Sequence, residues 1–273
     1  MIAIQQIRQP VLVQFEQFQK EYLRRLQGNI PVLQEVSSFL TQYQGKQLRP
    51  LLVLLSAKAC DTLKPQHILV AAVMELLHNS TLMHDDVVDE SDTRRGHAAV
   101  RKQWGNQAAV LCGDYLLAQT MQTLHDINDD QVTNIVNSTV ATMCEGELKQ
   151  LATNNQPLDQ NSYLDIIGCK TASLMATCCE LGAYAMDGSS TSPYRKAMHD
   201  FGYNYGIVFQ INDDIHDSNI LHDATPNLKV DTRQLIKQHT ERAFDALQAI
   251  PHSPARQSLL DLLSPLAPQP TNQ

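Results

Sequence analysis

Apolar residues recur at spacings of three and four along nearly the whole chain, and strand-like alternation of β-branched residues is almost absent. With only 11 glycines in 273 residues, and Ala, Leu, Gln, Glu and Met prominent, this pattern restricts the fold to packed helices. Helices are expected over 10–27, 31–43, 48–60, 66–91, 106–125, 130–151, 161–187, 193–220 and 230–250. The breaks between them are rich in turn formers: "QGNIP", "DTRRGHAA", "TNNQPLDQNS", "DGSSTSP" and "DSNILHDATPN". None is long or of low complexity, and no repeat of solenoid period is present. Residues 1–262 therefore read as one all-α domain, and 263–273 as a disordered C-terminal tail.

Two aspartate clusters stand out within this helical pattern. "HDDVVDESDTRRG" carries Asp85, Asp86 and Asp89 as D-D-x-x-D, and "FQINDDIHD" repeats the pattern with Asp213, Asp214 and Asp217. At roughly 100° per residue, the first and last acids of each cluster fall within about 40° on one helix face. A single cluster reads most simply as a solvated or capping run. Two that face one another would crowd six carboxylates into one cavity, where their repulsion demands a divalent cation. Oxygen-only donors favour Mg²⁺, which completes its shell with water and substrate phosphates. No D-x-D-x-D-G loop is present, so an EF-hand is excluded.

The net charge of −8 argues against nucleic acid or an anionic membrane surface as partner, so an anionic substrate needs local bases or metal. Candidate bases are Lys46 and Arg49 in "GKQLRP", Arg94 and Arg95 after the first cluster, and Lys170 with Thr171. As a set they suit a second diphosphate. Cys60, Cys112, Cys144, Cys169, Cys178 and Cys179 lack C-x-x-C or His/Cys ligand spacing, and are expected to be small buried thiols of a reducing cytoplasm. The N-terminus has no signal-peptide pattern and "LLVLLSA" is too short to span a bilayer, so a cytoplasmic location without a transmembrane segment is expected.

The motifs "GKQLRP", "LLHNSTLMHDDVVDESDTRRG", "WGNQAAVLCGDYLLA", "EGELKQL", "KTASLMATCCELGA" and "FQINDDIHD" resemble, in order and spacing, those of the trans-type isoprenyl diphosphate synthases, the polyprenyl synthetase family. The resemblance covers residues 10–220. It implies an isoprenoid synthase helical bundle around a central cavity, usually a homodimer. The implied reaction is Mg²⁺-dependent condensation of isopentenyl diphosphate with an allylic diphosphate, farnesyl or geranylgeranyl. By the same resemblance Asp85, Asp86, Asp89, Asp213, Asp214 and Asp217 hold Mg²⁺ against the allylic diphosphate, which Arg94, Lys170 and Thr171 also contact. Lys46, Arg49, His78 and Arg95 cradle isopentenyl diphosphate, and Gln210 lies close to the allylic group. His84, His216 and His222, near the acids, read as outer-shell or structural.

In this family bulky aromatics just before the first cluster close the elongation pocket. Small Ser80 and Thr81 therefore imply an open pocket and a long product, of the kind used for quinone side chains. One departure follows the second cluster, where the family has a G-K-x-x-G-x-D segment and further helices. Here "DSNILHDATPNLKVDTRQLIKQHTERAFDALQ" intervenes, with Lys229 and Asp231 as remnants. The loss removes a diphosphate-contacting lysine and part of a lid, and makes a non-catalytic prenyl synthase subunit the alternative. A class I terpene cyclase, with a different second metal motif, is a more distant reading.

Overall fold

The computed structural model describes residues 3–94, 96–153, 158–186, 192–220 and 231–266, with backbone alone for 217–220. Arg95, His222, Lys229 and the Asp217 side chain thus lie outside the described residues.

The architecture is built outward from two helices. α4 (Leu48–Ala59) is buried continuously from Pro50 to Ala57. A helix apolar all round belongs inside a bundle. α5 (Gln66–Val88) is likewise buried from Val70 to Ser80 and packs along α4. Around this pair lie α1 (Ile4–Arg8), α2 (Leu12–Leu26), α3 (Pro31–Gln42), α6 (Val100–Ile127), α7 (Asp130–Ala152), α8 (Gln160–Ile167), α9 (Ser173–Gly182), α10 (Arg195–Ile220), α11 (Thr232–Gln248) and α12 (Pro254–Leu263). α2 shows how an outer helix is fixed: Phe15, Phe18, Tyr22 and Leu26, spaced at three and four, form its buried stripe. Among the described residues no helix is long and apolar enough to cross a membrane.

The expected all-α class holds, and the differences from the expected elements have local causes. Thr93–Arg94 and His97–Ala98 pair as a two-residue antiparallel hairpin, β1 and β2, where a plain turn was expected. α6 begins before 106, but Gly105 has φ +86° and breaks it into a first turn and a long remainder. The helix expected over 161–187 contains a π-turn at Gly168–Ala172 and ends at Gly182. α12 is too short for its period to be read, although Ser253 and Pro254 mark its start; the Ser253 hydroxyl accepts from the Arg256 amide at 3.1 Å. Leu263 is buried in α12 and Ser264–Leu266 form a 3₁₀ turn, so these four residues, expected in the tail, have regular structure, while 267–273 lie outside the described residues. All six cysteines are free thiols, but Cys144 is exposed and Cys169 half-buried, against the expectation of six buried ones.

Capping also separates two kinds of acid. Asp129, Asp159 and Asp231 cap the N-termini of α7, α8 and α11 by accepting backbone amides. That explains Asp231 as a cap. The first D-D-x-x-D cluster sits at the opposite end of a helix, in the last turn of α5, with Asp89 as its C-cap. There the helix dipole disfavours negative charge, so the capping explanation fails for these three acids.

Candidate active site

Asp85 is half-buried at this unfavourable helix end. Burial first, and then the nearby Glu147 carboxylate, push its carboxyl up to about 7, while Lys170 and Arg94 pull it down. Asp86 is buried, and its carboxylate accepts from Arg94 Nε at 2.9 Å and also pairs with Arg94 Nη2. Asp89 is exposed. The arginine expected to meet diphosphate is therefore engaged with an aspartate expected to meet metal.

The charged residues of α7 and of the π-turn lie beside this cluster. Gly146 on α7 allows the close approach, since a Cβ there would lie 2.9 Å from the Lys170 amide nitrogen. Lys170 Nζ reaches Glu147 at 2.8 Å and Gln150 Oε1 at 3.2 Å. On the far side of the turn, Thr171 Oγ1 donates to Gln210 Oε1 at 2.8 Å, and Gln210 Nε2 donates to Asp214 Oδ1 at 2.8 Å. Tyr163 donates to Asp214 Oδ2 at 2.5 Å. Burial and that carboxylate raise the Tyr163 phenol above its ordinary range, so it is a donor at neutral pH. π-turns recur at functional sites because the extra residue re-aims side chains. Here one turn hands Lys170 to the first cluster's surroundings and Thr171 to the second cluster.

The third group forms at the start of α4. Arg49 Nη1 lies 3.0 Å from His78 Nε2, and Lys46, at the loop before α4, is exposed. Gln47 between them has φ +49°, a left-handed backbone uncommon for a residue with a side chain. Arg8 donates to the Lys46 carbonyl at 2.7 Å and holds this loop.

Ser80 is enclosed and donates to the Gly113 carbonyl on α6 at 2.8 Å; Thr81 is half-buried and donates to the His78 carbonyl at 3.0 Å. His84 lies 3.3 Å from both the Val110 carbonyl and the Asp114 carboxylate, facing α6. Asp213 and His216 are exposed. A cleft of about 490 Å³ on α7 to α10 contains none of the expected residues, whereas a pocket of about 40 Å³ adjoins Asp86 and Arg94 beside Tyr43, Leu82 and Met83. Among the described residues no three acid, imidazole or thiol side chains are grouped closely enough to hold a metal unaided.

Glu147, Gln150 and Tyr163 were not among the expected site residues. The first two lie inside the motif "EGELKQL", so the signal was present without a role attached.

Asp85 also sets a pH dependence. With its carboxyl raised from 3.8 to about 7, the folded chain binds more protons than the unfolded chain between those values, so stability falls as pH rises through that window. Metal-free protein should melt at lower temperature at pH 8 than at pH 5.5, by about 2–4 °C per kcal/mol, in calorimetry. The difference should shrink in Asp85→Asn.

Comparisons with known proteins follow the same lines. Residues 30–225 match the family described as polyprenyl synthetase. Heptaprenyl diphosphate synthase component 2 of Geobacillus stearothermophilus is 36% identical over 204 residues, 73% of this chain; the chain spans 62% of that relative's length. An all-trans-nonaprenyl-diphosphate synthase (geranyl-diphosphate specific) of Rhodobacter capsulatus is 31% identical over a 313-residue alignment covering 94% of this chain and 95% of that protein. An alignment longer than the chain means that this relative carries stretches the chain lacks. The crystal structure of a decaprenyl diphosphate synthase from Rhodobacter capsulatus superposes with a TM-score of 0.86 at 27% identity, covering 97% of this chain and 98% of that one.

Proposed function

The chain belongs to the polyprenyl synthetase family, and from that premise we propose that it elongates an allylic diphosphate with isopentenyl diphosphate to a long-chain trans-polyprenyl diphosphate. The observation that carries this reading is the π-turn joining the two acid clusters: Lys170 lies within the field felt by Asp85, and its neighbour Thr171 is hydrogen-bonded through Gln210 to Asp214.

The donor set fits a hard divalent cation. It consists of carboxylate oxygens, and Asp85 carries an unfavourable charge that a cation would neutralise. Asp85, Asp86, Asp89, Asp213, Asp214 and Asp217 would hold Mg²⁺, which supplies charge neutralisation at the departing diphosphate. Lys170 and Thr171 take the same diphosphate, joined by Arg94 as it exchanges Asp86 for phosphate oxygens. Arg49 and His78, with Lys46 and Arg95, hold isopentenyl diphosphate. The allylic C–O bond breaks with its electron pair leaving on the diphosphate. The isopentenyl double bond then forms the new C–C bond, and the proton lost from the adjacent carbon passes to that diphosphate. Donors placed where charge develops favour the transition state over the ground state. The allylic carbocation formed on that cleavage must be kept from water, and Leu82, Met83 and Phe39 give the pocket beside Asp86 an apolar lining suited to that.

The partners proposed are isopentenyl diphosphate, farnesyl or geranylgeranyl diphosphate, and a second copy of the chain. Exposed Leu111 and Met121 on α6 suit such a copy. The test is incubation of the purified chain with Mg²⁺, isopentenyl diphosphate and farnesyl diphosphate, followed by sizing of the extracted lipid. Folded protein that elongates nothing overturns the proposal. In the same assay Thr81→Phe should shorten the longest product, since Thr81 lies one turn, about 5.4 Å, before Asp85. An unchanged product distribution would remove Thr81 from the pocket.

A further inference from the structure

Asp214 and Gln210 stand four residues apart on α10, so their mutual hydrogen bond fixes each only relative to its own helix. Tyr163 belongs to α8, and its phenol ties Asp214 to a second element. That element is itself anchored: Asp159 caps it, and Tyr163 is buried in an apolar cluster with Ile207, Ile211 and Leu235 from α10 and α11. The orientation of every group is determined. The Thr171 hydroxyl donates to Gln210 Oε1, which leaves the Gln210 amide nitrogen facing Asp214 Oδ1, while Oδ2 accepts from Tyr163. Each carboxylate oxygen thus receives a neutral donor.

We infer that Tyr163 is a positioning residue, whose phenol sets the Asp214 carboxylate, and through Gln210 the Thr171 hydroxyl, before substrate arrives. This inference rests on the metal and diphosphate roles proposed above. Its physical logic is that of an outer-shell partner, which orients a ligand without touching the metal and whose loss weakens metal binding by about 10–100-fold.

Tyr163→Phe keeps the ring and its packing and removes only the donor. The expected result, in electron paramagnetic resonance titration of the full metal-free chain with Mn²⁺, is weaker binding by about tenfold. The Mg²⁺ concentration giving half-maximal elongation should rise in parallel, while KM for isopentenyl diphosphate stays within about twofold and the melting temperature is retained. Three outcomes overturn the inference. One is Mn²⁺ affinity equal to that of the unsubstituted chain. Another is a parallel loss of stability, Mn²⁺ affinity and isopentenyl affinity, which marks general damage. The last is an unsubstituted chain that binds no Mn²⁺, in which case the metal role of Asp214 falls first and the positioning role with it. The first two leave the proposed reaction standing, so the two failures are distinguishable.

Discussion

Asp85→Asn and Asp214→Asn are each expected to lower kcat for elongation by about 10³-fold, because removing a metal-facing charge forfeits roughly 4 kcal/mol of transition-state stabilisation at about 1.4 kcal/mol per decade. Their effects on stability should differ in sign. Asp85 sits in the last turn of α5, half-buried and beside Glu147, so its ionised form is unfavourable without a cation. Asn carries no charge, and the metal-free Asp85→Asn protein should melt at or above the temperature of the unsubstituted chain at pH 8. Asp214 accepts from both Tyr163 and Gln210 among its contacts. Asn can accept at one oxygen but turns an amide nitrogen toward the other donor, at a cost of about 1–3 kcal/mol for the unsatisfied pair. Asp214→Asn should therefore lose both activity and stability. Steady-state kinetics and thermal melts on the same preparations check both signs. Activity within tenfold of the unsubstituted chain for either variant would remove that aspartate from the metal site.

Much of this architecture was legible from periodicity alone. α4 and α5 read directly from runs of apolar residues, and the start of α10 followed the turn formers of "DGSSTSP". Two of the features that escaped share a physical origin, in that a local change in the backbone leaves the pattern around it unaltered. The π-turn at Gly168–Ala172 adds one residue to a helix and leaves the apolar spacing on both sides intact. Gly105 interrupts α6 by one left-handed residue, and α12 is too brief to show a period. The acids at 85, 86 and 89 could be recognised as a motif, but only the helix end revealed that they sit where a dipole opposes them. The pairing of Lys170 with Glu147 joins elements 23 residues apart and had no local signal, and that of Arg94 with Asp86 depends on how the chain turns back between α5 and the hairpin.

Its pairing with Glu147 gives Lys170 a large expected effect on substitution by Met. Lys170 Nζ is held at 2.8 Å by Glu147 and at 3.2 Å by Gln150, at a position where the allylic diphosphate would compete for it. Exchange of a carboxylate for diphosphate keeps the ammonium paired throughout, so the contact strengthens only as charge develops on the leaving group. Loss of one such charge-assisted donor should lower kcat by about 10²–10³-fold. A second consequence follows from the same geometry. Lys170 pulls the Asp85 carboxyl down while Glu147 pushes it up, so Lys170→Met leaves Glu147 unopposed and raises Asp85 further. In the metal-free protein the pH window over which stability falls should then extend to higher pH. Adding Glu147→Gln to Lys170→Met removes the carboxylate responsible and should return that window toward its original position without restoring the rate. A double-mutant cycle separates the two roles, because coupling between residues 147 and 170 appears in the pH dependence of metal-free melting and not in the maximal rate. If Glu147→Gln restores the rate of Lys170→Met, the lysine acts only by neutralising Glu147 and does not bind the diphosphate.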